Sequence, residues 1–341
     1  MGSARARPAP MADLIRLDDG DIRELARAFG LGEPSGWGVV AAGTINDNYW
    51  VEADGRRWFL RVNQGKEEAD VRWEAALVAE LAAAGVPTPP PVAGAGGQPL
   101  VRHRGRWVSL FPWIAGEHRG EAEVSAADAR ALGAALAALH LAGAPLAARM
   151  ARPGIYTTSH MAARVRGLAA DPAASSDPAL IDPLDAVADE LAWLDARAGA
   201  RAAAPAGLIH GDLFCDNVLF DGGRLVALLD FEQASSGTWV YDLAVCLNAW
   251  CFSGPLQPAL VAALVEGYRT VRELEPTEYP LLYVEARAAA MRFTITRITD
   301  VYLAGAAMPG KDFREFLRRL EAWRAMEAAD LVRLVGRDTT A

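Results

Sequence analysis

Residues 208–232 read LIHGDLFCDNVLFDGGRLVALLDFE, and this stretch decides how the chain is understood. Asp221-Gly222-Gly223 separates two short apolar runs, which predicts a pair of strands joined by a tight turn. Asp212 and Asn217 stand five residues apart ahead of the first strand, so a single loop can carry both. Asp230 follows the apolar run LVALL directly, so a strand delivers it from a rigid element. Phosphoryl transfer asks a protein for positioning and charge neutralisation rather than covalent chemistry. One carboxylate must orient the acceptor hydroxyl, and oxygen ligands must hold hard Mg2+ against the phosphates of ATP. Asp212 suits the first role, as catalytic base; Asn217 and Asp230 suit the second, as metal ligands. A single aspartate would be an ordinary surface or cap residue. The ordered set of histidine, aspartate, asparagine, hairpin and Asp-Phe matches the catalytic and metal loops of the kinase pattern.

Outward from this segment the chain changes character near residue 115. Residues 37–62 are strand-like, with NYWVEA and RRWFLRV flanking the hairpin signal Asp54-Gly55. A further strand and a glycine-containing turn over 43–48 precede that hairpin. Val71, Leu77, Val78 and Leu81 form an apolar stripe that predicts a helix over 67–84, ended by Gly85. VPTPPPV excludes helix and makes an extended connector, and WVSLFPWIAG is a strand running into a linker. Beyond it the pattern turns helical. Ser125 is the expected N-cap of a helix through Leu141, and a second helix covers 182–198. ADPAASSDPA between them reads as an exposed loop, and helices return from Tyr241 to the end. The fold class is therefore α+β, with a tail over 1–12, a small β-rich nucleotide-binding lobe over 13–115 and a larger helical catalytic and substrate lobe over 116–335.

A length of 341 residues suits two lobes sharing a cleft better than one small core. The net charge of -9 argues against a general nucleic-acid binder, whereas one ATP needs only a few local cations. Cys215, Cys246 and Cys251 form no CxxC pair, which argues against a zinc or disulfide framework. The absence of a GxxxxGK[ST] string excludes a P-loop as the source of activity. MGSARARPAP has basic residues with no apolar segment behind them and reads as a tail rather than a secretory signal. The alanine-rich run 126–144 is expected to fall short of a membrane span. These features describe a cytoplasmic protein whose partners are ATP and a small hydroxyl acceptor, without nucleic acid or membrane.

HGDLFCDN and DFE resemble the catalytic and metal loops of the aminoglycoside phosphotransferase and choline kinase superfamily, which shares the protein-kinase fold. Within it, residues 208–252 and the segments ARAAAMRFTITRITDVYL and KDFREFLRRL are most similar to type II homoserine kinases. The likeness runs from about Gly36 to Leu320. It implies a bilobal protein-kinase-like fold and phosphorylation of homoserine by ATP with Mg2+, a step towards threonine. Another amino alcohol, a sugar or an aminoglycoside is the alternative acceptor. A pseudokinase regulator would have lost the base or a metal ligand, and this chain keeps all three. The resemblance also implies that His210 braces the catalytic loop, that Asp242 supports it from below, and that His140 packs in a long helix. A helix N-cap is an equal reading of Asp242.

In kinases a strand-borne cation touches the phosphates and is held by a helix glutamate. Arg61 in WFLRV and Glu74 take those places, and arginine can fork across phosphate oxygens. The turn carrying Gly43, Thr44, Asn46 and Asn48 is expected to cover the phosphates with backbone N–H groups. By resemblance, the linker 110–114, with Phe111 and Trp113, offers backbone groups to adenine. For the acceptor, Arg287, Arg292 and Arg297 are spaced so that each step turns about 140° around a helix, and they cannot all face one site. Similarity favours Arg292 and Arg297, with Asn248 and Trp250 lining the same cavity. The chain departs from the homoserine kinase patterns HADLFRDN and Asp-Phe-Tyr at Gly211, Cys215 and Glu232. Glu232 could receive a substrate ammonium, support the metal or face solvent.

Overall fold

The computed structural model describes residues 16–40, 46–154, 157–305 and 310–336, so the expected tail over 1–12 lies outside it. The described residues group into two compact units divided between Ala115 and Gly116.

The first unit opens with helix α1 (Asp19–Ala28), which the strand-centred reading of the sequence passed over. Its signal is short: a capping box between Asp18 and Asp21, then Ile22, Leu25 and Phe29 on one face. Strands β1 (Gly36–Val39), β2 (Asp47–Ala53) and β3 (Arg56–Asn63) follow, then helix α2 (Glu68–Ala83), β4 (Val101–His103) and β5 (Arg106–Pro112). They form an antiparallel sheet in the order β1-β2-β3-β5-β4. Asp54 and Gly55 both take positive φ, as a two-residue turn between twisted strands requires. The α1 stripe packs on Tyr49, Val51, Leu60, Val62, Val108 and Leu110, so the helix covers one face of the sheet.

The second unit is mostly helical. Its helices are α3 (Ala126–Gly143), α4 (Thr158–Ala170), α5 (Pro172–Ser175), α6 (Ile181–Asp195), α7 (Ala198–Ala202), α8 (Trp239–Trp250), α9 (Pro258–Arg269), α10 (Glu278–Arg297), α11 (Phe313–Arg324) and α12 (Ala328–Val335). Two short antiparallel pairs interrupt them: β6 (Ala206–Ile209) with β9 (Ser235–Thr238), and β7 (Val218–Asp221) with β8 (Arg224–Leu228). Ser125 caps α3 as expected, in a capping box with Asp128. The predicted loop over 170–179 instead contains α5, capped by Asp171, with Ala174 buried against Leu168, Leu180, Ile298 and Phe313.

Contrary to the sequence expectation, residues Ala126–Leu146 are long and apolar enough to cross a membrane by length and composition. Half of that span is buried inside the unit. Its apolarity serves helix packing, because α3 and α9 approach so closely that a Cβ on Gly133 would collide with the Leu264 carbonyl, and one on Gly267 with the Arg130 carbonyl. Helix α10 is buried along 281–296, which explains why its sequence shows no one-sided apolar stripe.

Candidate active site

Strand β6 ends at Ile209 and hands the chain to His210, Gly211 and Asp212. Gly211 has φ +76, a left-handed conformation that favours glycine, and a Cβ there would press on the Gln233 carbonyl at 3.3 Å. The loop is held by Asp242, which is fully buried. Its two oxygens accept the backbone N–H groups of His210 and Gly211, each at 2.7 Å. His140 Nε2 stands 3.1 Å from the same carboxylate. Asp242 is not the N-cap of α8, as one reading had it: that position is Thr238, and Asp242 lies inside the helix. Burial alone would raise its carboxyl pKa, but the His140 hydrogen bond, aided by the Gly211 N–H, holds it below the ordinary value. Burial pushes His140 down against the pull of Asp242, so it is a neutral imidazole. His140 is structural, as expected, but through hydrogen bonds as well as packing.

His210 joins the two loops. Its Nδ1 accepts the Asp212 N–H at 3.3 Å, so Nε2 carries the proton and donates to the Leu229 carbonyl at 2.9 Å. Both nitrogens are committed within the chain, and Phe231 packs on the ring. Leu229 also donates its N–H to the Asn217 carbonyl, tying the segment before Asp230 to the end of the loop over 210–217. Asn217 Nδ2 donates to the Asp212 carbonyl at 2.8 Å, which fixes the amide and leaves Oδ1 as its acceptor end. Asp230 takes a left-handed backbone at φ 63, ψ 71. A non-glycine residue held there is costly and marks a site where geometry is imposed.

Asp212 keeps about a third of its side chain exposed (32%), whereas Arg292 beside it is nearly buried (4%). Arg292 Nη1 donates to Asp212 Oδ1 at 3.3 Å, and its guanidinium lies 3.7 Å from the centre of the Phe293 ring. The three α10 arginines do diverge. Arg287 forks onto Glu190 at 2.8 and 2.7 Å, while Arg297 binds Glu315 and the Asp312 carbonyl. Arg297 is therefore tied to α11 instead of joining Arg292 at Asp212. Asn248 and Trp250, expected to line a cavity, are fully buried. Asn248 serves Trp323 and two helix carbonyls, and Trp250 donates to the Leu213 carbonyl at 2.8 Å, bracing the loop over 210–217 from within the core. Glu232 is partly exposed; Gln233 Nε2 approaches its carboxylate at 3.4 Å and Arg152 reaches its carbonyl at 3.3 Å. Burial, together with Glu121 and Asp216, pushes the Cys215 thiol up to about 12, so this loop cysteine is not an activated nucleophile.

In the first unit Arg61 and Glu74 meet, with Nη1 to Oε1 at 3.1 Å. Lys66, which sequence reasoning overlooked, reaches the other oxygen of Glu74 at 3.4 Å. Its signal was a lone cation between β3 and a glutamate-rich helix start, disguised among charged neighbours. Asn48 sits opposite Arg61 across β2 and β3, and Asn46 Oδ1 accepts the Gln64 N–H at 3.2 Å. Gly43 and Thr44 lie outside the described residues. Phe111 pairs with Phe59 across β3 and β5. The linker is less available to a base than expected: Trp113 donates its N–H to the Arg57 carbonyl at 3.2 Å, and the Leu110 carbonyl accepts the Val92 N–H at 2.8 Å.

The geometry in the second unit is a fixed carboxylate next to a buried guanidinium, with an amide and a second carboxylate delivered by adjoining loops. Residues 37–278 match the phosphotransferase enzyme family. The homoserine kinase of Gluconacetobacter diazotrophicus is 34% identical over 325 residues, covering 92% of this chain and 97% of that protein. Among solved structures, an amicoumacin kinase in complex with AMP-PNP, Ca2+ and Ami gives a TM-score of 0.69 at 16% identity, over 91% of this chain and 96% of that one. A choline/ethanolamine kinase family protein from Mesorhizobium loti gives 0.65 at 20% identity, over 93% and 97%. The structural likenesses establish the protein-kinase-like fold. With the match over 37–278, the chain belongs to the phosphotransferase enzyme family.

Proposed function

We propose that this small-molecule kinase transfers the terminal phosphoryl group of ATP to the side-chain hydroxyl of homoserine. The observation that carries the choice of acceptor is the one-third identity, along nearly the whole chain, to a relative named homoserine kinase. The residues fit that chemistry. Asp212 accepts the hydroxyl proton as oxygen attacks phosphorus, and its backbone is held by the Asp242 clamp through the preceding two residues. Arg292 donates to Asp212 and presents a guanidinium suited to a carboxylate group. Glu232 is the candidate partner for the substrate ammonium. Arg61, held by Glu74, is the candidate phosphate contact, with Lys66 sharing the same anchor.

The donor set suits Mg2+. Asp230 and the oriented oxygen of Asn217 are hard oxygen ligands, and this ion is ordinarily bound by one or two protein carboxylates plus phosphate oxygens and water. When bound, it supplies charge neutralisation on the phosphates. Asn217 and Asp230 would hold it, and the hydrogen bonds at Asn217 Nδ2 and Leu229 N keep their two loops in register. The nucleotide lobe over 13–115 and catalytic lobe over 116–335, and a cytoplasmic setting, belong to the same proposal.

The test is ADP release with ATP and Mg2+ across homoserine, serine, choline, ethanolamine, methylthioribose and kanamycin. Saturable turnover on homoserine, well above the others, is expected. Turnover on another acceptor with homoserine inert would retire the substrate and keep the kinase.

A further inference from the structure

Asp242 holds the loop through the His210 and Gly211 N–H groups, His140 is its third neighbour, and something must decide which ring nitrogen of His140 carries the proton. The second unit contains a chain of groups that decides it. His140 Nδ1 stands 2.8 Å from the Tyr268 hydroxyl. Arg272 Nη1 donates to the same hydroxyl at 3.3 Å. Arg272 is itself forked onto Glu278 at 3.1 and 2.8 Å, and Glu278 is fully buried. The two ends of this chain have no choice of polarity. A guanidinium only donates, and an ionised carboxylate such as Asp242 only accepts. Arg272 therefore takes a lone pair of the Tyr268 oxygen, the tyrosine proton turns to His140 Nδ1, and the imidazole proton sits on Nε2, facing Asp242. A doubly protonated imidazole would place a second buried cation near Arg272, and burial already disfavours it.

We propose that Tyr268, Arg272 and Glu278 are positioning residues for phosphoryl transfer, which fix the His140 tautomer and through it the Asp242 clamp on the catalytic loop. The route spans four helices. Tyr268 lies in α9, Arg272 just beyond it, Glu278 at the start of α10, His140 in α3 and Asp242 in α8. The close α3–α9 approach at Gly133 and Gly267 places Tyr268, the next residue after Gly267, within reach of His140. Trp239 closes the assembly, stacked on the His140 ring at 5.7 Å and covering the Arg272 guanidinium at 4.5 Å. None of these groups touches the reacting atoms.

The inference rests on the kinase reading for its kinetic arm and is independent of it for its spectroscopic arm. In isotope-labelled wild-type protein, nitrogen shifts should show His140 as the neutral Nε2–H tautomer at every pH between about 6 and 8. An Nδ1–H or protonated His140 would overturn the proposal, even if no acceptor were ever turned over. In Tyr268→Phe, which keeps the ring, the tautomer preference should weaken. On the folded protein kcat should fall about tenfold, as for other outer residues that orient functional groups, with both KM values unchanged. His140→Gln carries a fixed amide in place of two tautomers, so adding Tyr268→Phe to it should cost little more. Unchanged kcat in folded Tyr268→Phe, or losses that multiply in the double variant, would overturn it. If Tyr268→Phe does not fold, the wild-type tautomer decides.

Discussion

Asp242→Asn changes one atom and tests the clamp directly. Asp242 receives three N–H groups on two oxygens, from His210 and Gly211 at 2.7 Å and from His140 at 3.1 Å. Asparagine offers one acceptor oxygen and one NH2 donor in the same volume, so at least one N–H is left facing another donor. Losing a charge-assisted bond costs about 1.5–3 kcal/mol, and a buried donor without an acceptor costs about 1–3 kcal/mol more. The variant should therefore be destabilised by roughly 3–5 kcal/mol at neutral pH, comparable to breaking one side of a buried ion pair. The sign with pH follows from the direction of the shift. The folded pKa of Asp242 lies below the ordinary 3.8, so its stabilisation is fully present above that value and is lost as pH falls through the folded pKa. The gap between wild type and variant should close on acidification below about pH 4. Urea denaturation followed by tryptophan fluorescence from pH 7 downward measures it. A variant within about 0.5 kcal/mol of wild type at pH 7, or a gap that persists undiminished at the lowest pH where both fold, would refute the reasoning.

Asp212→Asn should abolish phosphoryl transfer while nucleotide binding persists; retained turnover removes Asp212 as base. Asp230→Ala should weaken Mg2+-dependent nucleotide binding, and an unaltered Mg2+ titration takes it out of the site. Glu74→Gln removes the charge that anchors both Arg61 and Lys66, so KM for ATP should rise about tenfold with the acceptor KM unchanged, as befits an outer ligand partner; equal effects on both would place Glu74 elsewhere. Gly267→Ala puts a methyl group against the Arg130 carbonyl, where no flexible side chain can yield, and should destabilise the protein by about 3 kcal/mol. A melting temperature equal to wild type would mean that α3 and α9 separate without cost.

The sequence by itself determined the chemistry of one short segment. His210, Asp212, Asn217 and Asp230 fall within a hairpin's length, so local spacing alone places them on adjoining loops. The Asp54-Gly55 turn and the Ser125 cap were legible for the same reason: each depends on a few neighbouring residues. Helix α1 was missed because its stripe is only three residues, and the α5 turn because its commitment comes from packing on Leu180, Ile298 and Phe313. The tertiary structure decided what distance in sequence hides. Arg292 meets Asp212 across 80 positions, and His140 meets Asp242 across 102. Three arginines at equal spacing on one helix acquire three different partners, Glu190, Asp212 and Glu315. A helical repeat states the angle between such side chains, but which neighbour waits at each angle is fixed only by how α6, α10, α11 and the catalytic loop pack. Buried polar groups follow the same logic. An aspartate or histidine carries no mark in the sequence that it will be buried, and only the assembled helices together with the loop after β6 supply the N–H groups and the hydroxyl that pair with Asp242 and His140.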